Sequence, residues 1–357
     1  MEKGRVGSKR RCMFKPKYSY TDNIVNNLTL IAEARTVILN APLVPKWEVS
    51  LRRDALIHSA HASTAIEGNQ LTLEEVSALA QGRDIMVRRK DKQEVINYLK
   101  ALENIPAFAQ KAVLSVPDLL KIQKQVTAGT LDDPKDEGAF RACRVAVVNK
   151  ATKQIVFEPP AVKLVKPLTV DFLKWFDSPL ALKIDPVLQA GIAHYELVRI
   201  HPFVDGNGRT ARVLASLALY KRGFDVKRFF ALDDYYDHDR PAYYSALKSV
   251  DKNTLDLTGW LEYFTGGVAV SIKGVKDKVM ALSRDVKVLK DKGQIALTAR
   301  QMKIVEFIND NGKISNKDMQ TMLKVSPQAV HKEITKLVKL GVVKTVGLGR
   351  AMHYELA

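Results

Sequence analysis

The chain of 357 residues contains only two cysteines, Cys12 and Cys143. Two thiols cannot form the disulfide framework of a small secreted domain or complete a cysteine zinc site, so neither is expected. No apolar run approaches the ~20 residues that a membrane helix requires. The basic first residues are not followed by the apolar segment of a signal peptide. These absences predict a cytoplasmic protein without a membrane partner.

Acidic residues are also in deficit, with 39 Asp and Glu against 56 Lys and Arg, which gives a formal net charge of +17. The excess lies at the two ends. Residues 1–17 carry seven basic residues against one acid, and residues 273–357 carry seventeen against eight. This distribution favours nucleic-acid contact at the ends and a different function in the nearly neutral middle. A solvated tail without a partner explains residues 1–17 equally well.

Most of the chain has the apolar spacing of amphipathic helices, and 46% of its residues are hydrophobic, enough for a sizeable core. Helices are predicted at 21–40, 48–66, 92–112, 116–128, 162–176, 185–200, 209–222 and 268–295. Before the C-terminal region one hairpin is predicted, from β-branched runs at 144–148 and 154–157 that flank a short turn. The expected fold class is mainly α.

The most informative stretch is His201–Arg212, with the sequence HPFVDGNGRTAR. Gly206 and Gly208 allow the backbone to close around an anion, and the helix predicted after them presents free N–H groups and a positive dipole end. Arg209 and Arg212 are three positions apart, so both guanidinium groups lie on one side of the first turn. Two arginines in this position suit a di- or triphosphate.

Two further side chains complete the chemistry of this stretch. Asp205 can bind a divalent cation that bridges phosphates, because magnesium usually takes only one or two protein carboxylates. His201 lies just before the loop and can accept a proton from an attacking hydroxyl group. The residues by themselves therefore predict a polyphosphate site with a base beside it.

Glu67 lies at the end of the second predicted helix. A carboxylate is disfavoured there because it faces the negative end of the helix dipole. We therefore expect Glu67 to have a partner elsewhere in the chain. Gly68 provides a helix stop, and the pattern from Thr72 to Glu75 predicts a capping box that opens the next helix.

The pattern His-x-Phe-x-Asp-Gly-Asn-Gly-Arg-x-x-Arg resembles the signature of the Fic (Fic/DOC) family at every specified position from His201 to Arg212. The similarity extends over roughly residues 20–265. It implies a Fic-type helical bundle that transfers AMP from ATP to a Ser, Thr or Tyr hydroxyl of a target protein. ATP would be the co-substrate and Mg²⁺ the metal.

The resemblance also implies a role for each residue of the motif. His201 corresponds to the general base, Phe203 to a core residue that fixes the loop, and Asp205 to the magnesium ligand. The phosphate contacts are assigned to Gly206, Asn207 and Gly208 as an anion hole for the α- and β-phosphates, and to Arg209 and Arg212 for the β- and γ-phosphates.

Upstream, Ser63-x-x-x-Glu67-Gly68 is similar to the inhibitory motif that some Fic proteins carry on an N-terminal helix. The similarity implies that Glu67 pairs with Arg212 and prevents the γ-phosphate from binding productively. The protein is therefore predicted to be autoinhibited.

The predicted hairpin, introduced by Gly138-x-x-Arg141, is similar to the flap of the family, which aligns a target segment by strand pairing. The flap residues are Arg144, Val145, Val147, Ile155 and Phe157. On the adenine side the resemblance points to Tyr236, Tyr243 and Tyr244, although adjacent tyrosines on a helix are as often core residues. Asp233 departs from the small hydroxyl residue that the resemblance leads us to expect there.

Residues 297–357 have the pattern of three helices and a hairpin, which resembles a winged helix. Thr298, Ser315 and Ser326 are the predicted N-caps. In a DNA-binding role the third helix, 327–340, would enter a major groove with Gln328, Lys332 and Lys336 exposed. Protein docking or dimerisation is an equally good interpretation of this region.

The predicted organisation is a basic flexible arm (1–17), an N-terminal helical region with the inhibitory helix (18–112), a Fic catalytic core (113–265), a helical connector (266–295) and a winged-helix domain (296–357). The predicted function is protein adenylyltransferase, with removal of AMP from a target as a second direction. The alternative is a DNA-binding regulator whose Fic site senses nucleotide or modifies or de-modifies a partner. A homodimer is compatible with either function.

Overall fold

The structure is a computed structural model that describes residues 14–43, 45–148, 155–224, 226–291, 298–347, 349 and 352–356. The first part of the chain is helical, as predicted. Its helices are α1 (Asp22–Asn40), α2 (Pro45–Ile66), α3 (Leu73–Ala80), α4 (Arg89–Glu103), α5 (Ile105–Ala109) and α6 (Val116–Thr127). The capping box of Thr72 and Glu75 is confirmed at the start of α3.

The predicted hairpin is confirmed: in the described residues β1 (Val147–Val148) and β2 (Ile155–Phe157) pair in an antiparallel manner. The turn residues 149–154 lie outside the described part of the chain, as do the side chains of Val147 and Ile155. After the hairpin come α7 (Val162–Phe176), α8 (Pro186–Ile200), α9 (Asn207–Lys221), α10 (Leu232–His238), α11 (Arg240–Lys248) and α12 (Thr258–Asp291).

The centre of the core is α8, almost all of whose residues are buried. It packs against α9 and α12, and α12 packs in turn along α1. Close contact between α8 and α12 requires Gly191, since a Cβ there would lie 2.9 Å from Cδ2 of Leu261 and 3.0 Å from the ring of Phe264. The indole N–H of Trp260 donates to the Gly191 carbonyl at 2.8 Å. This packing fixes the end of α8, where the chain enters the central motif.

Two helices differ from their predicted extents by more than a few residues. The helix predicted at 92–112 ends at Glu103, and a separate α5 begins immediately after Asn104, with Pro106 in its first turn. The helix predicted from 268 already begins at Thr258, because the buried stripe continues back through Phe264 and Trp260. The predicted boundary at 265/266 therefore falls inside α12, and one core cluster joins it to the N-terminal helices.

The arm predicted at 1–17 is ordered at its end. Phe14 makes edge contacts with the rings of Phe172 and Trp175, at 6.0 and 5.2 Å between centroids. The carbonyl of Lys17 accepts a hydrogen bond from the Leu257 N–H at 2.8 Å. Residues 1–13 lie outside the described part of the chain.

The C-terminal domain has the order predicted for a winged helix: α13 (Ala299–Asn311), α14 (Asn316–Leu323), α15 (Pro327–Lys339), β3 (Val343–Val346) and β4 (His353–Leu356). Thr298, Ser315 and Ser326 cap their helices as predicted. The domain has its own apolar cluster, which also includes Val49 of α2, and α13 lies against α2. Of the helices in the described residues, none has the length and apolarity needed to cross a membrane.

A matched pair of glycine substitutions tests the contact of α8 with α12. Both Gly191→Ala and Gly274→Ala gain about 1 kcal/mol of helix propensity, but only Gly191 lacks room for a Cβ. Overpacking costs about 1–3 kcal/mol, so Gly191→Ala is expected to be less stable than Gly274→Ala by that amount. Denaturant unfolding followed by tryptophan fluorescence measures the difference. Equal stability of the two variants would contradict the close packing.

Candidate active site

The motif begins with a residue in an uncommon conformation. His201 caps α8 in the left-handed region, with φ of 49°, and its N–H donates to the Leu197 carbonyl at 3.0 Å. Its ring Nδ1 lies 3.1 Å from the Val198 carbonyl. A carbonyl can only accept, so Nδ1 carries the proton. In the neutral ring Nε2 is then left as the acceptor.

The pKa of His201 favours this neutral form. Burial lowers the pKa, the bond to Val198 and the charge of Glu67 raise it, and the net result is a pKa below the usual 6.5. At neutral pH the imidazole is therefore available to accept a proton through Nε2.

The loop after His201 is held by Asn207. The Asn207 side chain donates to the Phe203 carbonyl and accepts from the Phe203 N–H, both at 3.0 Å. Phe203 itself is fully buried, consistent with the core position predicted for it. The Asn207 side chain thereby braces the loop, and the backbone N–H of Asn207 lies at the start of α9, where it can be offered to an anion.

Gly206 is required by both conformation and space. It caps α9 with φ of 79°, where side chains are strained, and a Cβ would lie 2.6 Å from Cγ2 of Thr127. Helix α9 starts at Asn207, two residues earlier than predicted. Its first N–H groups thus follow the loop directly, at the positive end of the helix.

Glu67 and Arg212 form an ion pair, with 2.8 Å between Oε1 and Nη2. Ser63 accepts two more bonds from the guanidinium, at 2.6 Å to its hydroxyl and 2.9 Å to its carbonyl. A Cβ on Gly208 would lie only 2.3 Å from the Glu67 oxygen. The carboxylate therefore occupies the space at the N-terminus of α9 where an external anion would bind. The contact implied by the resemblance is present, and its inhibitory role stays a prediction.

Glu67 is ionised despite its partial burial. Burial raises its pKa, but the charges of Arg212 and Arg209 outweigh that effect and lower the pKa from its ordinary value. The side chain is 31% exposed, whereas that of Arg212 is 2% exposed. The partner of the buried arginine is thus a carboxylate at the surface, which can leave.

Arg209 is buried without a full set of partners. Its nearest acids are Glu94 at 3.6 Å and Asp205 at 3.5 Å. Among the described residues its Nε and Nη1 have no hydrogen-bond acceptor. A buried guanidinium with spare donors suits an additional anion such as phosphate.

Asp205 faces the solvent beside these groups. Its side chain is 47% exposed, and one of its oxygens accepts from the Gly206 N–H at 2.5 Å. Throughout the described residues there is no group of three or more His, Cys, Asp or Glu that could hold a metal ion. Asp205 is thus an exposed carboxylate beside Arg209.

Two residues that fix the loop were missed by the sequence interpretation. Arg141 donates to the carbonyls of His201 at 2.7 Å and Pro160 at 2.5 Å, which ties the base of the hairpin to the motif. The buried Gln123 donates to the Asp205 carbonyl at 3.2 Å and accepts from the Gly138 N–H at 2.6 Å. Only the Gly138-x-x-Arg141 spacing gave a signal, since the bonds of Gln123 join distant segments.

The hairpin lies beside His201. The ring of Phe157 is 6.5 Å from that of His201 between centroids. Arg144 is exposed and forms an ion pair with Glu158, and Val145 is partly buried. The hairpin therefore borders the site, as the resemblance to a flap implies.

The tyrosines predicted for the adenine side differ in exposure. Tyr236 and Tyr243 are 1% and 2% exposed and stack on each other at 4.7 Å between centroids. The Tyr243 hydroxyl also bonds to Nε2 of His194 at 2.9 Å. These two residues are core residues, which corrects their assignment to adenine, because their faces are covered by protein. Tyr244 is 41% exposed and stays a candidate.

The residues predicted for DNA contact lie on one face of α15. Gln328 and Lys332 are exposed and Lys336 is partly exposed. The opposite face of the helix is buried through Val330 and Ile334. Their position fits a recognition helix, and their contact with DNA stays a prediction.

Removal of the Glu67 charge is expected to lower the pKa of His201 further, because that charge raises it in the native protein. Glu67→Gln keeps the shape of the side chain and removes the charge. NMR titration of the His201 ring measures both values. The native pKa should lie below 6.5, and the variant should lie lower still. A higher pKa in the variant would contradict the proximity of the two groups.

Comparison with known proteins identifies two parts of the chain. A sequence profile of the Fic/DOC family matches residues 113–219, and a profile described as winged helix-turn-helix DNA-binding matches residues 297–344. The chain is similar to protein adenylyltransferase fic-1 of Caenorhabditis elegans, with 30% identity over 223 residues, 56% of this chain and 42% of that protein. It is also similar to protein adenylyltransferase Fic of Drosophila melanogaster, with 31% identity over 176 residues, 48% of this chain and 34% of that protein. The chain thus spans less than half the length of either relative.

Solved structures share the fold. A Fic family protein from Desulfovibrio desulfuricans matches with a TM-score of 0.63 and 23% identity, over 96% of this chain and 98% of that one. A fragment of Fic-1 from C. elegans matches with a TM-score of 0.59 and 24% identity, over 74% of this chain and 73% of that one. The predicted fold class is confirmed. The chain therefore contains a Fic/DOC-family domain and, after it, a winged helix-turn-helix domain.

Proposed function

We propose that the protein is an adenylyltransferase that transfers AMP from ATP to a hydroxyl group of a target protein in the cytoplasm. The observation that carries this proposal is the arrangement at the start of α9. A histidine with a free Nε2 directly precedes a helix N-terminus lined by two buried arginines. The adenylyltransferase names of the matched relatives support the same reaction.

The proposed step is an in-line displacement. The acceptor oxygen forms a bond to the α-phosphorus, the bond from that phosphorus to the α–β bridging oxygen breaks, and pyrophosphate leaves. The hydroxyl proton passes to Nε2 of His201. The N–H groups of Asn207 and Gly208, with Arg209 and Arg212, would bind the negative charge that shifts onto the phosphates.

Asp205 is the residue proposed to hold Mg²⁺. A single exposed carboxylate beside a phosphate site fits this ion, which usually keeps several waters and binds phosphate oxygens as well. When bound, the ion would neutralise phosphate charge during the transfer. Arg209, with spare donors in its Nε and Nη1, is suited to the same phosphates.

Glu67 is proposed to inhibit this reaction. Its carboxylate competes with a phosphate for Arg212 and for the space beside Gly208. Because both ligands would use Nη2 of Arg212 and the same space beside Gly208, binding of one excludes the other. The hairpin beside His201 is proposed to hold the target segment by adding a strand, so that the target hydroxyl reaches Nε2.

The central test compares Glu67→Gly with the native chain in transfer of label from α-³²P ATP. Glu67→Gly should label itself or a supplied protein far more strongly than the native chain. Adding His201→Ala should reduce this labelling by about 10²–10⁴-fold, the usual contribution of a general base. Mass spectrometry of the product should find an added AMP.

A second experiment determines whether the protein adds AMP to its target or removes it. A target that already carries AMP is incubated with the native chain and with Glu67→Ala. If the target keeps its AMP in the presence of the native chain, the result fits the proposal. Loss of AMP from the target with the native chain but not with Glu67→Ala would show that the protein removes AMP instead. Absence of label from Glu67→Gly in the presence of ATP and Mg²⁺ would overturn the proposed function.

A second candidate function is DNA binding by the winged helix, favoured by the family match at 297–344. The structure adds a specific observation. Helix α2 has Val49 near its start in the core of the C-terminal domain, and it ends at Ile66, directly before Glu67, which pairs with Arg212. A ligand of the winged helix would therefore act on the same helix that holds the inhibitory carboxylate.

Titration of the full chain with a 30-base-pair duplex tests this second candidate. Lys332→Ala and Lys336→Ala should each weaken binding and lower the slope of log affinity against log salt by about 1. Lys248→Ala, an exposed change on α11, is the matched control and should leave the slope unaltered. Binding that is equal in all three variants, or absent at low salt, would argue for a protein partner.

A further inference from the structure

Arg212 has a second carboxylate partner, Asp233, in the first turn of α10. Its Oδ1 forms an ion pair with Nε of Arg212 at 3.4 Å, while the hydrogen bond from that Nε goes to the Ser63 hydroxyl at 2.6 Å. Glu67, by contrast, contacts Nη2. The two acids therefore contact different nitrogens of the same guanidinium, and they come from helices on different parts of the chain.

The two acids differ in how firmly they are held. The Asp233 side chain is 5% exposed and that of Glu67 is 31% exposed. Tyr98 donates to Oδ1 of Asp233 at 3.3 Å, and the Ser59 hydroxyl also donates to this carboxylate. Asp233 is thus packed in place from α2, α4 and α9, whereas Glu67 lies at the open end of its helix.

Asp233 stays charged at neutral pH. Burial raises its pKa, and the charge of Arg212 and the bonds from Ser59 and Tyr98 oppose this, so that the pKa is about 6. A buried carboxylate is costly without a partner, and so is a buried guanidinium. The pair therefore persists when Glu67 is displaced, because separating it would leave two uncompensated buried charges.

We propose that Asp233 is a positioning residue: it anchors the Nε side of Arg212 so that the remaining guanidinium donors keep facing the γ-phosphate site after Glu67 leaves. This inference rests on the proposed function. In this arrangement phosphate replaces only Glu67 at Arg212, while Asp233 stays in place. It also assigns a purpose to the position where an acid departs from the small hydroxyl residue that the family resemblance leads us to expect.

The test compares ATP with ADP, because only ATP has the γ-phosphate. Isothermal titration with Mg²⁺ is performed on Glu67→Gly and on Glu67→Gly with Asp233→Asn. We expect the second change to raise the Kd for ATP about tenfold, because the guanidinium loses the buried charge that orients it. The Kd for ADP should stay nearly unchanged. A purely structural role of Asp233 would instead raise the Kd for both nucleotides.

The neighbouring Asp234 supplies a matched control. It has the same chemistry, but it is exposed and pairs with His58 at 2.9 Å rather than with Arg212. Glu67→Gly with Asp234→Asn should bind both nucleotides as the parent does. Tyr98→Phe keeps the charges of Asp233 and Arg212 and removes one hydrogen bond to Asp233, so it should weaken binding of ATP selectively and to a smaller degree. This variant also provides the test if Asp233→Asn does not fold.

Three outcomes in the Asp233 and Asp234 variants would overturn the inference. Asp233→Asn could bind ATP as tightly as its parent, or lose ATP and ADP equally, which would indicate general damage. Alternatively, Asp234→Asn could reproduce the ATP-specific loss. If the Glu67→Gly parent itself binds neither nucleotide, the proposed function fails and the inference fails with it. If the parent binds ATP and ADP, the results with the Asp233 variant test the inference separately from the proposed function.

Discussion

The site depends on one buried guanidinium. Arginine does not lose its proton in proteins, so Arg212 must find anions wherever the fold buries it. The protein supplies a half-buried carboxylate, Glu67, directly after α2, and a buried one, Asp233, in α10. The nucleotide, in the proposed reaction, supplies a third anion. Control of the site then follows from charge balance: an arginine that must be neutralised can exchange partners, but it cannot be without one.

The surrounding scaffold holds two positions with positive φ at the motif. His201 has φ of 49° and Gly206 has φ of 79°, and both lie between the buried helices α8 and α9. Three side chains hold this turn by hydrogen bonds. Asn207 belongs to the motif itself, Arg141 lies at the base of the hairpin, and Gln123 belongs to α6. A backbone conformation of this kind persists only where its surroundings over-determine it. The consequence is a histidine whose accepting nitrogen is fixed before any substrate binds.

Helix α2 connects the two domains physically. Its 22 residues extend from the apolar cluster of the winged helix to the ion pair at Arg212. At 1.5 Å per residue the helix is about 33 Å long. The helix thus connects Val49, in the apolar cluster of the winged helix, to the residue directly before Glu67. The fold thereby joins a domain of the DNA-binding winged-helix type to the carboxylate proposed to control transfer.

The local features of the molecule could be predicted from the residues alone. The sequence predicted three capping residues correctly, because each cap bond spans only three positions: Thr72, Thr298 and Ser315. It also predicted the loop before α9, because a glycine turn and a helix N-terminus are local features. Burial and long-range pairing could not be predicted in this way. Tyr236 and Tyr243 looked suited to a purine until packing enclosed them, and Asp233 gave no sign that it reaches Arg212. The sequence by itself therefore determined the chemistry of His201–Arg212, whose groups are neighbours along the chain. Only the tertiary structure determined which carboxylates neutralise Arg212, because charges far apart in sequence meet only after their helices have packed.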